Sequence, residues 1–90
     1  MAERKTSVTA DAQLQPHKGY YYGYTVTVVT ANAAISVYDS LTEAGTVVDV
    51  IPAATAAGVT KTFATPIPMS TGIYVGYAAT ATGTVVFLHD

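Results

Sequence analysis

Two histidines are the only side chains in this 90-residue chain whose ordinary pKa lies near neutral pH. His17 follows Pro16 and His89 precedes Asp90, so the two histidines lie near opposite ends of the sequence. A hydrolytic Ser–His–Asp set also needs a serine exposed on a sharp turn, and neither histidine is accompanied by such a motif. We therefore predict that the protein is not an enzyme and has no catalytic residues.

Metal and phosphate sites are also poorly supported by the spacing of the polar residues. The two histidines and the scattered carboxylates do not have the spacing of zinc ligands. Asp39 and Glu43 could share a cation, but two carboxylates fall short of the six to eight oxygens that Ca²⁺ prefers. Gly72 and Gly76 lack the lysine that accompanies a phosphate-binding loop. We expect no metal and no cofactor.

A cluster of tyrosines is the most distinctive local feature, in the segment KGYYYGY at residues 18–24. Tyrosine favours strands, and consecutive tyrosines in a strand alternate between its two faces. Aromatic clusters are also common at subunit interfaces, and flat tyrosine rings can stack on the apolar face of a sugar. All three interpretations stay open, and the candidate interface residues here are Tyr20, Tyr21, Tyr22 and Tyr24.

The charge content is low and shows no basic stripe. Asp, Glu, Lys and Arg make up 11% of the residues, whereas about 25% is usual. From residue 19 onward one lysine stands against four carboxylates, a net charge of −3, while residues 1–18 carry +1. Nucleic-acid binding requires clustered Lys or Arg, so we expect no nucleic-acid partner. A weakly charged surface is better suited to contact with another protein.

The chain contains neither a signal-peptide pattern nor a membrane-spanning run, because its start lacks seven consecutive apolar residues and no stretch approaches 18. We expect a soluble protein that is made in a cytoplasm and has no membrane partner. Cysteine is absent, so neither disulfides nor thiolate-bound zinc can reinforce the small core. Association between copies is the remaining way to add stability.

Apolar residues recur with a period of two, which predicts an all-β fold: a single antiparallel β-sandwich or small jelly-roll-like barrel of six to eight short strands. Residues 20–39 are predicted to form a β-hairpin with Asn32 in a left-handed turn, and residues 40–43 a single helical turn. Further strands are predicted at residues 46–51, 59–65, 70–79 and 84–89, with Pro66 and Pro68 in an extended connection. The predicted core consists of the best-alternating apolar residues: Val26, Val28, Ile35, Val37, Ile73, Val75, Val85 and Phe87.

The first 18 residues are predicted to form an arm, with residues 19–90 as the sandwich domain. The arm has few apolar residues, too few to offset the roughly 1 to 2 kcal/mol per residue that is lost when a backbone is fixed. We expect it to be disordered in the free protein and to order on a partner through Arg4, Lys5, Val8 and Leu14. The alternative is a frayed tail with a short edge strand at residues 6–10.

Three segments resemble small β-sandwich modules in structural proteins of tailed bacteriophages. They are ISVYDSLTEAGTVVDVIP, STGIYVGY and GTVVFLHD, and the similarity covers about residues 20–90. In these modules a strand that ends in Tyr-Asp is followed by a short loop to Gly-Thr, and a Gly-hydrophobe-Tyr-Val strand precedes a closing Gly-Thr-Val strand. Residues 1–18 have no counterpart in the resemblance.

The resemblance implies a virion component, and most directly a head decoration (cement) protein that binds the outer surface of the capsid and stabilises it. The partners would be the major capsid protein and further copies of the chain, with a homotrimer preferred because shell-reinforcing proteins dock most often at local threefold axes. The localisation would be the capsid surface of the virion, after synthesis in the host cytoplasm. The alternatives are a receptor-binding module of a phage tail or fibre and a carbohydrate-binding β-domain.

Overall fold

The structure, a computed structural model, describes residues 4–43, 45–78 and 80–90, which form eight strands and no helix. The strands are β1 (Arg4–Val8), β2 (Ala12–Gln15), β3 (Gly19–Ala31), β4 (Ile35–Asp39), β5 (Thr46–Ile51), β6 (Thr60–Met69), β7 (Ile73–Tyr77) and β8 (Thr82–His89). They pair antiparallel in two four-stranded sheets: a first sheet with the order β1-β8-β3-β6 and a second with the order β2-β7-β4-β5. The predicted all-β sandwich is confirmed.

The core lies between the two sheets and is built from the inward-facing half of each alternating strand. Seven of the eight predicted core residues are fully buried, all of them except Val28. Strand β8 lies between β1 and β3, which explains why its sequence is apolar on both faces. The period of two therefore identified the buried face of four strands correctly.

Val28 is the exception, with 51% of its surface exposed. The pairing of β3 with β8 shifts register between Val26 and Val28, so the alternation that is correct up to Val26 fails beyond it. Thr30 is buried in this part of the strand instead, and its hydroxyl donates a 2.8 Å hydrogen bond to the carbonyl of Pro52. The inward placement predicted for Val28 is therefore wrong.

The predicted hairpin over residues 20–39 is also wrong, because β3 belongs to the first sheet and β4 to the second. The connection at residues 32–34 carries the chain from one sheet to the other. Asn32 does take the predicted left-handed conformation, with a φ of 72°. A turn residue between two alternating segments occurs both in a hairpin and in a connection between sheets. The two cases differ in the partner strands, which are β6 and β8 for β3 and β5 and β7 for β4.

Residues 4–15 form edge strands of both sheets, which corrects the prediction of a separate arm over residues 1–18. Strand β1 pairs with β8 and β2 pairs with β7, so the chain contributes to the first sheet and then to the second. Val8 and Gln15 are buried where these strands meet the core. Composition underestimated this segment because its backbone groups bond to two sheet edges that the rest of the chain supplies.

Two further segments differ from the sequence-based expectation. Strand β6 continues through Pro66 and Pro68, which is possible because β6 is an edge strand, where a missing N–H need not break a ladder. Residues 40–43 form bends and a turn, without the predicted helical turn. The amide of Thr42 donates a 3.2 Å hydrogen bond to the hydroxyl oxygen of Ser40, a local bond that competes with a helix.

Candidate interaction surfaces

The tyrosine cluster does not form one exposed platform. Tyr21 and Tyr24 are both buried, whereas Tyr22 is half-buried and Tyr20 is 40% exposed. Strict alternation would place Tyr21 and Tyr24 on opposite faces, but a bulge between Tyr21 and Gly23 turns both inward. Stacking of a sugar on all four rings is therefore excluded, and Tyr20 is the member of the cluster most accessible to a partner.

Tyr21 instead belongs to a polar cluster inside the sandwich. Its hydroxyl donates to Oδ2 of the buried Asp49 at 2.9 Å, while Oδ1 of Asp49 accepts from Nζ of Lys61 at 2.9 Å and from the amide of Val50 at 2.9 Å. Burial and the neighbouring carboxylate raise the pKa of Tyr21 far above its ordinary value. The hydrogen bond to Asp49 raises the pKa of Lys61. Because the carboxylate is fully engaged, this cluster has a structural role.

The candidate interface residues of the N-terminal segment are also partly exposed and partly buried. Arg4 and Lys5 are exposed on β1, where a partner can reach them. Leu14 is half-buried against the core, and Val8 is a buried member of it. Val8 is therefore not available to a partner in the folded chain, contrary to the expectation that the segment orders on a partner through it.

His89 is buried and both of its ring nitrogens have partners. Gln15 donates from Nε2 to the carbonyl of His17 at 3.1 Å, so its Oε1 is the atom that faces His89 Nδ1, at 2.8 Å. Nδ1 must then carry the proton, and Nε2 accepts from the hydroxyl of Thr6 at 2.8 Å. Burial lowers the pKa of His89, and the charge of Arg4 lowers it further. No local motif indicates this triad, because Thr6 and Gln15 are 83 and 74 residues from His89 in the chain.

Asp39 also has a structural role, as a cap for the turn that precedes β7. Its carboxylate accepts from the amide of Thr71 at 2.9 Å and from the amide and hydroxyl of Ser70, both at 3.0 Å. Burial alone would raise the pKa of Asp39, but these hydrogen bonds lower it overall. The carboxylate of Glu43 lies over Gly76, so the two carboxylates contact different parts of β7 and the turn before it. Within the described ranges no group of three His, Cys, Asp or Glu side chains could hold a metal ion.

One end of the sandwich is almost free of charge, and we call it the uncharged end. Four connections meet there, at residues 9–11, 32–34, 52–59 and 78–81, and by sequence they contain one charged residue, Asp11. The carboxylate of Asp11 accepts from the amide of Tyr77 at 2.6 Å, so it is engaged within the fold. The opposite end carries the charged His17–Lys18 turn, Asp39 and Asp90.

The uncharged end also exposes three valines, Val28 (51%), Val29 (50%) and Val59 (41%). They lie where β3 meets the connection at residues 52–59. The amide of Gly58 donates to the carbonyl of Val26 at 2.7 Å, and the amide of Thr30 donates to the carbonyl of Thr55 at 3.0 Å. The connection is thus held to β3 by backbone hydrogen bonds, and the valines are presented on an ordered surface.

No protein-family model, curated protein or solved structure matches the chain. Among the described residues, no helix is long and apolar enough to span a membrane. Residues 35–39 and 46–51 form β4 and β5, residues 73–77 form β7 and residues 82–89 form β8, and the Asp39 cap joins β4 to the turn that precedes β7. The described residues form a sandwich whose polar clusters support the fold. Three of its seven exposed large apolar side chains lie at the uncharged end, and the other four, Tyr20, Leu41, Val47 and Val50, lie elsewhere.

Proposed function

We propose that the protein is a head decoration (cement) protein of a tailed bacteriophage, which binds the outer surface of the capsid and stabilises it. Such a protein needs a rigid body and a surface that matches the shell or its own copies, and it needs no reactive site. The buried polar clusters described above stabilise the sandwich. The resemblance of β4–β5, β7 and β8 to phage modules supports the virion as the location.

The observation that carries the proposal is the uncharged end with its three exposed valines. Burial of apolar surface is worth about 25 cal/mol per Å², and a surface that presents no charge to a partner incurs no cost of removing ions from water. We therefore assign the contact with the major capsid protein, or with two further copies in a homotrimer, to the uncharged end.

Localisation is the first test. Virions from a host that produces the chain are separated into DNA-filled heads and tails, and the chain is quantified in each fraction by mass spectrometry. We expect the chain on heads at a fixed ratio to the major capsid protein. Recovery on tails alone would contradict the proposal and favour the receptor-binding alternative.

The second test changes the surface itself. Val28→Lys places a charge at the uncharged end, and Val47→Lys is the matched control, because Val47 is 47% exposed on an edge strand of the second sheet, away from that end. Both variants should fold, since both side chains already face solvent. We expect Val28→Lys to lower the occupancy of undecorated heads at least about tenfold, whereas Val47→Lys should bind as the wild type does. Equal occupancy would rule out the uncharged end as the contact.

A carbohydrate-binding function is the second candidate, and one arrangement of residues favours it. Tyr38 and Tyr74 are cross-strand partners on the outer face of the second sheet, since their neighbours Val37 and Val75 face the core. Paired tyrosines on a sheet face can stack on a sugar ring. Binding on a glycan array that Tyr74→Ala abolishes, combined with absence of the chain from virions, would replace the decoration proposal with this one.

A further inference from the structure

A groove of about 590 Å³ lies at the charged end of the sandwich, far from the valines of the uncharged end. Pro68 and Tyr20 supply apolar surface, and Lys18 and Asp90 add charge. A volume of this size lies within the range of about 300 to 1,000 Å³ that is typical of ligand sites. Neither the core clusters nor the proposed capsid contact uses this groove.

Three side chains of the groove form one row across the first sheet. Tyr20 is the register partner of Pro68, and it exchanges two backbone hydrogen bonds with Asp90, of 2.6 Å and 2.9 Å. Directly opposed residues of antiparallel strands place their side chains on the same face. Tyr21 faces the core, so Tyr20 and the rest of the row lie on the outer face. The side chain of Tyr20 thus lies between those of Pro68 and Asp90, on strands that are about 4.8 Å apart.

The carboxylate of Asp90 lacks a donor on one side. Its Oδ2 is buried and has no hydrogen-bond partner among the described residues. A buried carboxylate oxygen without a donor is unfavourable, and a charged donor is the partner that relieves this cost most strongly. Lys18 also lines the groove but is exposed on its turn, where water screens its charge.

We propose that this groove binds an arginine side chain from an extended segment of a partner protein, with the aliphatic stem on Tyr20 and the guanidinium at Asp90. Arginine fits the row because its planar group stacks on aromatic rings and can donate two parallel hydrogen bonds to a carboxylate. Recognition operates through the side chain, since Pro66 and Pro68 remove two backbone donors from the edge strand and so disfavour addition of a further strand. The proposal is independent of the capsid function.

The test compares two isosteric probes on the unaltered protein. N-acetyl-arginine amide and N-acetyl-citrulline amide have the same shape, but only the first is charged. Each is titrated into ¹⁵N-labelled protein, and the amide shifts of Tyr20, Ser70 and Asp90 are followed by NMR. We expect arginine amide to bind about tenfold more tightly than citrulline amide, because a charged hydrogen bond is stronger than a neutral one.

Variants then locate the site. Asp90→Asn should reduce the affinity for arginine amide about tenfold, and Tyr20→Ala should weaken both probes. Glu43→Gln is the control, because it removes a carboxylate that lies over Gly76 and does not line the groove, and it should leave binding unchanged. Circular dichroism of each variant establishes that the fold is retained.

Three results would overturn the proposal. The first is equal affinity for the arginine and citrulline probes, and the second is an unchanged affinity for arginine amide in Asp90→Asn. The third is self-association of the protein that Asp90→Asn abolishes while arginine amide does not bind, which would make a second copy the occupant.

Discussion

The hydroxyl of Tyr21 and the carboxylate of Asp49 are joined by a 2.9 Å hydrogen bond that links the two sheets through the core. Tyr21 belongs to β3 of the first sheet and Asp49 to β5 of the second. Lys61 completes the cluster from β6 with a 2.9 Å ion pair to Asp49. The buried charge of Asp49 is therefore contacted by a cation, a hydroxyl and an amide, which offset the cost of burying it.

Tyr21→Phe tests this link. The substitution keeps the ring, which packs 5.6 Å from Phe63 and 6.4 Å from Phe87 between centroids, and removes the hydroxyl. Asp49 then loses one donor in a buried position, so we expect the free energy of unfolding to fall by about 1 to 3 kcal/mol. Urea denaturation measures the change. Tyr38→Phe on the outer face of the second sheet is the control and should cost less than about 0.5 kcal/mol; equal losses would contradict a special role for Tyr21.

Phe87 and Val28 give a second prediction, because the sequence places both in the core and the structure buries only Phe87. Phe87→Ala should cost roughly 3 to 5 kcal/mol, since it leaves a cavity beside Tyr21 and Tyr24. Val28→Ala should cost less than about 1 kcal/mol, because it removes exposed surface. Thermal and urea unfolding of both variants measure these losses. A loss below about 1 kcal/mol for Phe87→Ala, outside the range for buried aromatics, would overturn the register of β8.

The third prediction concerns residues 1–16. Their deletion removes β1 and β2 and exposes the edges of β8 and β7, including the buried His89. We expect the deleted protein to unfold or aggregate, as judged by circular dichroism and size-exclusion chromatography. An independently folding arm would instead leave the remaining sandwich intact.

A charge-removing variant separates folding from attachment in this segment. Replacing Arg4 and Lys5 together by serine keeps the backbone pairing of β1 and removes two exposed charges. We expect this double variant to fold, and we expect each of the two substitutions to change the free energy of unfolding by less than about 0.5 kcal/mol. We expect it to bind undecorated heads as the wild type does, because the capsid contact is assigned to the uncharged end. A folded double variant that fails to bind would contradict that assignment and would support the contact through Arg4 and Lys5 that the sequence predicts.

The local pattern was sufficient to predict the class of fold and most of the core. Val37 and Val75 each lie in a strand whose apolar residues recur with a period of two, and both are fully buried. The two apolar faces of β8 were consistent with either a central strand or an interface, and the structure shows a central strand. These features depend on neighbours within a few residues, which is the range over which a sequence pattern carries information.

The features that escaped prediction depend on distant partners. The sheet that β4 joins is decided by β5 and β7, and the burial of Tyr24 is decided by a bulge against β6 and β8. Of the row Pro68, Tyr20 and Asp90 in the groove, the sequence indicated only Tyr20 as an interface residue. Pro68 and Asp90 are brought beside it by strand pairing. To predict such contacts one must know which strands pair, and the local pattern of a single sequence does not specify this.

The fourth prediction is a loss of stability as the pH falls below the ordinary pKa of histidine. The pKa of His89 is lowered from 6.5, first by burial and then by the charge of Arg4, while Asp90 opposes the shift. Below pH 6.5 the unfolded chain therefore binds a proton more readily than the folded chain does. The stabilisation is complete above pH 6.5 and is lost as the pH falls towards the pKa of the folded state.

Urea denaturation at intervals between pH 7.5 and 5 measures this effect, and the wild type should become steadily less stable over that range. His89→Gln should reduce the pH dependence, although the variant should also be less stable at pH 7.5, because Gln15 and Thr6 lose the ring that bridges them. His17→Gln is the matched control, since His17 is the only other histidine and is exposed. Asp39, whose pKa is lowered from 3.8, titrates below this window. A flat profile for the wild type, or a loss of the slope in His17→Gln, would show that burial of His89 does not control the response.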